Sequence, residues 1–340
     1  MKTVKFLTVL FVSAVSLTIF LSTFSMAAET RTLSFSVWGG PNHWCTKAVQ
    51  SFATDLEAAT QGKIKVTVYP GGTLTKGANA YSGVVEGISD IATACNGWTK
   101  GRFPLAALLD LPLGFESPIQ ATLIVQDFYE KFRPKEFDDI KVLSMYNNSG
   151  QNLHTLTKPV RKLEDLKGLR IRSTGNDVST VRALGAIPVS MEIGEAYIAF
   201  KKGIVDGIVC GDGGMVSFKL ADVTRYHTRV GLTSASFWAG MNKDVWNSFP
   251  PDIQKIIEEV GEKFTKQVAV NLLESDKQAI SLCKNLGHEF IELEPNEKAK
   301  FQEALSPVIK EYVQELEKMG LPGREALDYT LHLMKKYEGR

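Results

Sequence analysis

Side chains able to hold a small anion follow several predicted strands of this sequence. A guanidinium, Arg172, ends one strand, and indole, imidazole, amide, thiol and carboxyl groups follow others. Ligands of α/β proteins bind beyond the carboxyl ends of the strands, so these groups can meet in one pocket. A planar guanidinium holds both oxygens of a carboxylate in a fixed orientation, which a lysine does not. The residues predicted to line this pocket are Trp38, His43, Trp44, Asn96, Trp98, Arg172, Cys210 and Asp212.

These residues also have a purely structural interpretation. Trp44 and Trp98 can belong to a hydrophobic core, since large aromatic side chains are strongly buried on average. An arginine at a strand end can serve a structural ion pair instead of a ligand. Residue types and spacing alone leave both interpretations of Arg172 open.

Recognised catalytic and cofactor motifs are missing from the sequence. It has no GxSxG, HExxH, P-loop or GxGxxG pattern, and the glycine-rich run 211–214 predicts a turn. The histidines are scattered, without a second ligand at metal-binding spacing. They are His43, His154, His227, His288 and His332. We therefore expect no metal, no cofactor and no enzymatic activity.

Strands and helices alternate along the first two thirds of the chain. This alternation predicts an α/β fold with mostly parallel sheets covered by helices on both faces. Alternating or continuous apolar runs predict strands at 32–37, 64–69, 88–93, 142–146, 153–157, 169–172, 188–191 and 207–210. Helical spacing of apolar residues predicts helices at 43–59, 78–86, 178–184 and 194–202.

The last third of the chain is predicted to be helical. Apolar residues recur at helical spacing from Pro251 onward, which predicts one amphipathic helix over 251–286. A helix longer than about 25 residues is unusual within one compact lobe, and 340 residues exceed what one core usually serves. We therefore expect two lobes crossed by this helix, with further helices at 295–319 and 322–337.

The charge balance argues against binding to polyanions. The chain has 39 basic and 38 acidic residues, so no excess positive charge attracts nucleic acid or an anionic membrane. The four cysteines form no CxxC pair, which argues against a zinc ribbon or a thioredoxin-type motif. An apolar fraction of 44% is typical of a folded globular protein.

The first 27 residues have the pattern of a cleaved signal peptide. Lys2 and Lys5 precede an apolar stretch, and Ser25-Met26-Ala27 places small residues at a cleavage site. We expect an exported, soluble protein that begins near Ala28. The alternative is a retained membrane anchor, because the apolar stretch nearly reaches spanning length.

The segment from Leu163 to Arg172, LEDLKGLRIR, resembles the "dLkGlkiR" segment of the solute-binding subunits of TRAP transporters, the DctP-like family. Other segments resemble that family in the same order along the chain. They are VVEGISDI at 84–91, ALGAIPV at 183–189, EAYIAF at 195–200, GIVDG at 203–207, and 237–246 with the helix start at 250–260.

The resemblance implies a two-lobe periplasmic binding protein fold with a ligand cleft and a long helix crossing both lobes. One lobe would comprise 28–150 plus about 237–281, and the other about 151–236 plus 282–340. Hinge closure on the ligand is expected, followed by delivery of the solute to the integral membrane permease of a TRAP transporter. We expect a periplasmic monomer.

The resemblance also assigns residues to the cleft. Arg172 corresponds to the family arginine that pairs with the substrate carboxylate. Cys210 stands where a polar contact is usual, and Asn152 stands where many members have a second cation. Phe237 and Trp238 complete the predicted site.

A single clear cation favours a monocarboxylate over a dicarboxylate, and the aromatic residues favour an aromatic or branched acid. Two other functional classes stay open: an exported ligand sensor and an exported enzyme that use the same cleft.

Two cysteines of the first predicted lobe follow strands that can be neighbours. Cys45 and Cys95 can therefore form a disulfide in an oxidising compartment. The alternative is four free, mostly buried thiols.

Overall fold

The computed structural model describes residues 30–340, which fold into two α/β lobes. The predicted signal peptide, with its cleavage site at Ala27, lies outside the described residues. Within residues 30–340, no helix combines the length and the apolar character needed to cross a bilayer.

Eleven strands form two sheets in the described part of the chain. The first sheet has the order β2-β1-β3-β10-β4, and the second has the order β11-β9-β5-β8-β6-β7. The strands are β1 (Arg31–Val37), β2 (Ile64–Tyr69), β3 (Ile91–Cys95), β4 (Ile140–Asn147), β5 (Gln151–Thr155), β6 (Arg170–Ser173), β7 (Ile187–Ser190), β8 (Gly207–Cys210), β9 (Tyr226–Thr233), β10 (Ser236–Asn242) and β11 (Glu289–Glu292).

Ten α-helices cover these sheets in the described residues. They are α1 (Trp44–Ala59), α2 (Ala80–Val85), α3 (Pro118–Phe132), α4 (Asp177–Ala183), α5 (Ala196–Lys201), α6 (Gly214–Ser217), α7 (Lys243–Asn247), α8 (Pro251–Asn285), α9 (Pro295–Lys318) and α10 (Gly323–Lys336).

Both sheets mix parallel and antiparallel strands for a topological reason. Strand β10 enters the first sheet from the second lobe and runs antiparallel to β3 and β4. Strand β5 enters the second sheet from the first lobe and runs antiparallel to β8 and β9. The remaining pairs, such as β1 with β3 and β6 with β8, are parallel.

Within residues 30–340, several segments connect the lobes. Residues 148–150 lead from β4 to β5, residues 234–235 lead from β9 to β10, and helix α8 runs between the lobes. The first two are joined because the Ala235 amide donates to Asn148 Oδ1 at 2.7 Å and the Asn148 amide donates to the Ala235 carbonyl at 3.1 Å.

Helix α8 belongs to both lobes, as its predicted length suggested. Its 35 residues span about 50 Å at 1.5 Å per residue. Ile257 and Phe264 pack in the core beneath the first sheet, whereas Ala279 and Cys283 pack in the core of the second lobe. One rigid element therefore connects the two hydrophobic cores.

The C-terminal helices contact both lobes. Phe301 and Leu305 of α9 pack against the second lobe, whereas Leu327 and Leu333 of α10 belong to a core cluster of the first lobe. The division of the chain into lobes remains a proposal. These contacts modify it, because α10 packs with the first lobe while the sequence grouped 282–340 with the second.

All four cysteines are free, buried thiols. The disulfide predicted between Cys45 and Cys95 is therefore not formed in this structure. Cys45 lies in the first turn of helix α1, and its Sγ lies 3.5 Å from Tyr146 Oη, so the thiol is used in core packing.

Candidate functional site

A cavity of about 90 Å³ lies where the two lobes meet. The carboxyl ends of β1 and β3 approach it from the first lobe, and those of β6 and β8 approach it from the second. Its wall includes Trp38, His43, Trp44, Cys95, Gly97, Trp98, Asp110, Asn148, Gln151, Arg172, Thr174, Asp177, Cys210, Phe218, Ser234, Phe237 and Asp276.

Arg172 is the one cationic side chain among the described residues that line this cavity. It is 3% exposed, and its Nε donates to the Met191 carbonyl at 3.0 Å, which fixes the plane of the guanidinium. Within residues 30–340, its two terminal Nη groups make no hydrogen bond and no ion pair shorter than 4 Å. Burial lowers the pKa of Arg172, so an anion in the cavity would relieve an electrostatic cost.

Aromatic side chains form the wall on the side of the first lobe. The Trp38 ring stacks on Phe237 with centroids 5.7 Å apart, and it meets Trp98 edge to face at 4.9 Å. Phe237 in turn stacks on Tyr146 at 5.1 Å. The buried Trp38 Nε1 has no acceptor among the described residues, which leaves one donor in this wall for a ligand.

His43 supplies a neutral donor to the same wall. Its Nδ1 accepts the Cys45 amide at 3.1 Å at the start of α1, so this nitrogen carries no proton. Burial lowers the pKa of His43 to about 3, and the ring is therefore neutral with its proton on Nε2.

Three carboxyl groups complete the cavity wall. Asp110 Oδ1 accepts the Ser236 amide at 2.7 Å, Asp177 Oδ1 accepts the Thr233 hydroxyl at 2.7 Å, and Asp276 Oδ1 accepts the Gly213 amide at 2.8 Å. Burial is the main reason that the pKa is raised to about 8 for Asp110, about 6 for Asp177 and about 7 for Asp276. The site can therefore gain negative charge in the neutral pH range.

Most residues predicted from the sequence do meet in this cavity. Trp38, His43, Trp98, Arg172, Cys210 and Phe237 line it, as does Trp44. Four predicted contacts lie elsewhere: Asn96, Asn152, Asp212 and Trp238.

Strand periodicity and local hydrogen bonds explain why these four side chains lie outside the cavity wall. Trp238 follows Phe237 in β10, so it points to the opposite face of the sheet and packs on Tyr81. Asn96 is turned inward, where its Nδ2 donates to Ser236 Oγ.

Asn152 and Asp212 line a second, larger cavity in which Asp212 pairs with Arg229. Asn152 is uncharged, and the described wall of the first cavity contains no second cation in its place.

None of the three carboxyl groups of the cavity was predicted from the sequence. Asp177 is the first residue of helix α4, directly after the loop that follows β6, where the strand-end rule could have identified it. Asp110 lies in a 3₁₀ turn and Asp276 lies within α8, so both reach the cavity only through the tertiary fold.

The lobes touch across the cleft. Asn176 Nδ2 donates to the Ala107 carbonyl at 2.9 Å, and the rings of His43 and Phe218 lie 5.6 Å apart. Gly175 faces Gly97 so closely that a Cβ atom on Gly175 would lie 3.1 Å from the Gly97 carbonyl oxygen. The structure is therefore a closed arrangement of the two lobes.

The chain matches a known protein family over most of its length. The family model for bacterial extracellular solute-binding protein, family 7, called DctP, matches residues 35–316. The chain belongs to this family. Members are solute-binding proteins of transport systems and not enzymes.

Relatives and solved structures agree with this assignment. The C4-dicarboxylate-binding periplasmic protein DctP of Rhodobacter capsulatus is 26% identical over 90% of this chain and 93% of its own length. A TRAP periplasmic solute-binding protein from Desulfovibrio salexigens is 30% identical, covers 91% of this chain and 97% of its own, and superposes with a TM-score of 0.83.

A marine metagenome TRAP solute-binding protein, described as specific for aromatic acid ligands, is 26% identical. The match covers 91% of this chain and 99% of that protein, with a TM-score of 0.87. That protein was solved with metahydroxyphenylacetate and also with 3-hydroxybenzoate.

Proposed function

We propose that this protein captures a small monocarboxylic acid with an aromatic or branched apolar body. Its carboxylate would be held by Arg172, and the protein would deliver the acid to the membrane permease of a TRAP transporter. The observation that carries this proposal is the Arg172 guanidinium, which is buried at the cavity with both Nη groups unpaired among the described residues.

The preference for one carboxylate follows from the charges of the cavity. Arg172 is its one cation among the described residues, whereas Asp110, Asp177 and Asp276 supply carboxyl groups. A second ligand carboxylate would meet no positive partner and would lie near these acids. Burying an unpaired charge costs several kcal/mol, which disfavours a dicarboxylate.

The preference for an aromatic or branched body follows from the wall of Trp38, Trp98 and Phe237. Stacked and edge-to-face rings contribute about 0.5–1.5 kcal/mol beyond the burial of their area. The aromatic acid ligands of the marine metagenome relative support this choice.

The proposed location and partners follow from the family and from the start of the chain. Cleavage after Ala27 would release a soluble periplasmic monomer, and the docked lobes would present the loaded cleft to the permease. Intact-mass measurement of periplasmic material tests cleavage, because the mature chain should lack the first 27 residues.

A thermal-shift panel tests the proposed ligand class. Benzoate, 3-hydroxybenzoate and mandelate are expected to raise the melting temperature by several degrees at saturation, because a ligand that binds only the native state stabilises it by mass action. Benzamide, which has the shape of benzoate without its charge, should produce little shift, and succinate should produce less than benzoate. Equal shifts with benzamide, or a larger shift with succinate, would contradict the proposal.

Binding of a monocarboxylate is expected to weaken as pH rises. Between about pH 6 and pH 8, Asp177, Asp276 and Asp110 lose their protons in turn, since their raised pKa values fall in this range. Each new negative charge repels the bound carboxylate, so calorimetric titration should give a dissociation constant that increases over this range.

Asp110→Asn serves as the control for this pH dependence. The amide oxygen can still accept the Ser236 amide, but the side chain cannot ionise. The variant should therefore retain affinity at the alkaline end better than the parent protein. An affinity independent of pH, or one that increases with pH, would remove the three carboxyl groups from the vicinity of the ligand.

A further inference from the structure

Three buried histidines of the second lobe form a continuous hydrogen-bonded chain behind the cleft wall. His154 in β5 and His227 in β9 are cross-strand neighbours, and their Nδ1 atoms are 2.8 Å apart. His227 Nε2 lies 3.0 Å from His288 Nδ1. At the far end, His154 Nε2 lies 3.1 Å from the Cys210 carbonyl oxygen.

The carbonyl of Cys210 fixes the direction of this chain. A carbonyl only accepts, so His154 Nε2 carries a proton and donates it. In the neutral imidazole of His154 a proton on Nε2 leaves Nδ1 as the acceptor. His227 must then donate from Nδ1, which leaves the lone pair of His227 Nε2 directed at His288.

A thiol lies beside this lone pair. Cys283 Sγ, His227 Nε2 and His288 Nδ1 all lie within 4.8 Å of one another, and the three side chains are at most 8% exposed. Gly287 has a φ of +73° at the end of α8, and it reverses the chain so that the His288 amide donates to the Cys283 carbonyl at 2.9 Å. This turn brings Cys283, near the end of α8, close to His288, which directly precedes β11.

We propose that His227, Cys283 and His288 form a binding site for Zn²⁺ that ties the end of helix α8 to the sheet of the second lobe. Two imidazoles and a thiolate are ligands that zinc prefers. Zinc–nitrogen bonds of about 2.0–2.1 Å in a tetrahedral site place two nitrogens about 3.3 Å apart. The His227–His288 separation of 3.0 Å is close to this value, and Cys283 completes the set by moving inward.

Zinc binding changes the position of a proton at two of the ligands. The Cys283 thiol forms its bond to zinc as a thiolate and releases one proton to solvent. His288 stays neutral and carries its proton on Nε2 instead of Nδ1, which frees Nδ1 for the metal. The His227–His154–Cys210 hydrogen bonds persist as an outer shell that holds the His227 ring in place, a role that such partners play in known zinc sites. Water supplies the fourth ligand.

Metal titration of the full mature chain tests this site. Protein freed of metal with a chelator and kept reduced is titrated with Zn²⁺ against a chromophoric competitor. One equivalent should bind, and Cys283→Ser and His288→Gln should each weaken binding at least about tenfold. With Co²⁺ as a spectroscopic substitute, the parent protein should show a thiolate charge-transfer band that Cys283→Ser lacks.

Matched controls separate this site from incidental metal binding. Cys45→Ser removes another buried thiol, and His332→Gln removes an exposed histidine; neither should change the titration. Cys283→Ser should unfold cooperatively at a temperature somewhat below that of the metal-free parent, because it buries a hydroxyl in the core, and Zn²⁺ should not raise that temperature. A cooperative transition shows that the variant is folded. The absence of saturable binding, or binding that is indifferent to Cys283→Ser and His288→Gln, would overturn the proposal.

Discussion

Replacement of Arg172 by alanine is expected to weaken the binding of a monocarboxylic acid by roughly 30- to 4,000-fold. This range corresponds to the cost of about 2–5 kcal/mol for truncating one partner of a buried, hydrogen-bonded charge pair. The ligand carboxylate would remain buried beside Asp177 and Asp110 without a cation. Calorimetric titration of the two proteins with the same acid measures the loss.

Arg172→Lys should recover only part of this affinity. An ammonium is a point charge, and it cannot form the two parallel hydrogen bonds that a planar guanidinium offers. In the parent protein the bond from Nε to the Met191 carbonyl also orients the guanidinium, whereas a lysine would have to make this bond and the ligand bond from one nitrogen. The order of affinity should therefore be arginine, then lysine, then alanine.

Arg170→Ala is the matched control for this series. Arg170 lies two residues earlier in β6 and forms a partly exposed ion pair with Asp206, at 2.7 Å. Exposed ion pairs contribute little to stability, and this one lies outside the cleft. Affinity should therefore be unchanged in this variant.

Measurements without ligand decide between a binding and a structural role for Arg172. No ion pair shorter than 4 Å involves Arg172 among the described residues, so the ligand-free melting temperature of Arg172→Ala should fall little or should rise. An affinity loss below about threefold, together with a destabilised ligand-free protein, would remove Arg172 from the site.

The sequence predicted the cleft through its strand ends. Strand ends located Trp38, Trp98, Arg172 and Cys210 at the cleft, because the position of a strand can be predicted from apolar periodicity, which is a local property of the chain. The same logic failed for Trp238, since a shift of one residue along a strand moves a side chain to the other face. The family resemblance identified the segment that contains Phe237 and Trp238, but it did not show which of the two side chains faces the cleft.

The acidic part of the cavity could not be predicted in the same way. Asp276 is one polar residue on a long amphipathic helix, where a solvated face is the usual interpretation. It reaches Gly213 only because α8 crosses between the lobes. The histidine chain has the same origin: His154, His227 and His288 are distant in sequence and are joined by strand register and by the turn at Gly287.

Replacement of Gly97 by leucine is expected to hold the lobes apart and to weaken ligand binding by roughly 5- to 150-fold. In the closed arrangement a Cβ atom on Gly97 would be 3.5 Å from Asp110 Oδ2 and 3.6 Å from Gly175 Cα, which are ordinary van der Waals distances for a methyl group. The further atoms of a leucine must fit between Gly97 and Gly175 or extend into the cavity that Gly97 lines, and a wider gap between the lobes relieves both contacts. Overpacking costs about 1–3 kcal/mol, and here the open form avoids that cost.

Scattering and titration together show whether this effect acts through closure. In the parent protein the ligand should reduce the radius of gyration, whereas Gly97→Leu should keep the larger value until higher ligand concentrations are reached.

Gly97→Ala should bind almost normally, because its Cβ makes only ordinary van der Waals contacts. Gly40→Leu is the matched control in the same lobe, since a Cβ atom there has nothing within 4 Å. Parent-like affinity and compaction in Gly97→Leu would show that the binding form leaves more space between Gly97 and Gly175 than this structure does. If Gly40→Leu lost as much affinity, the loss would come from the added apolar bulk in this lobe and not from the contact across the cleft.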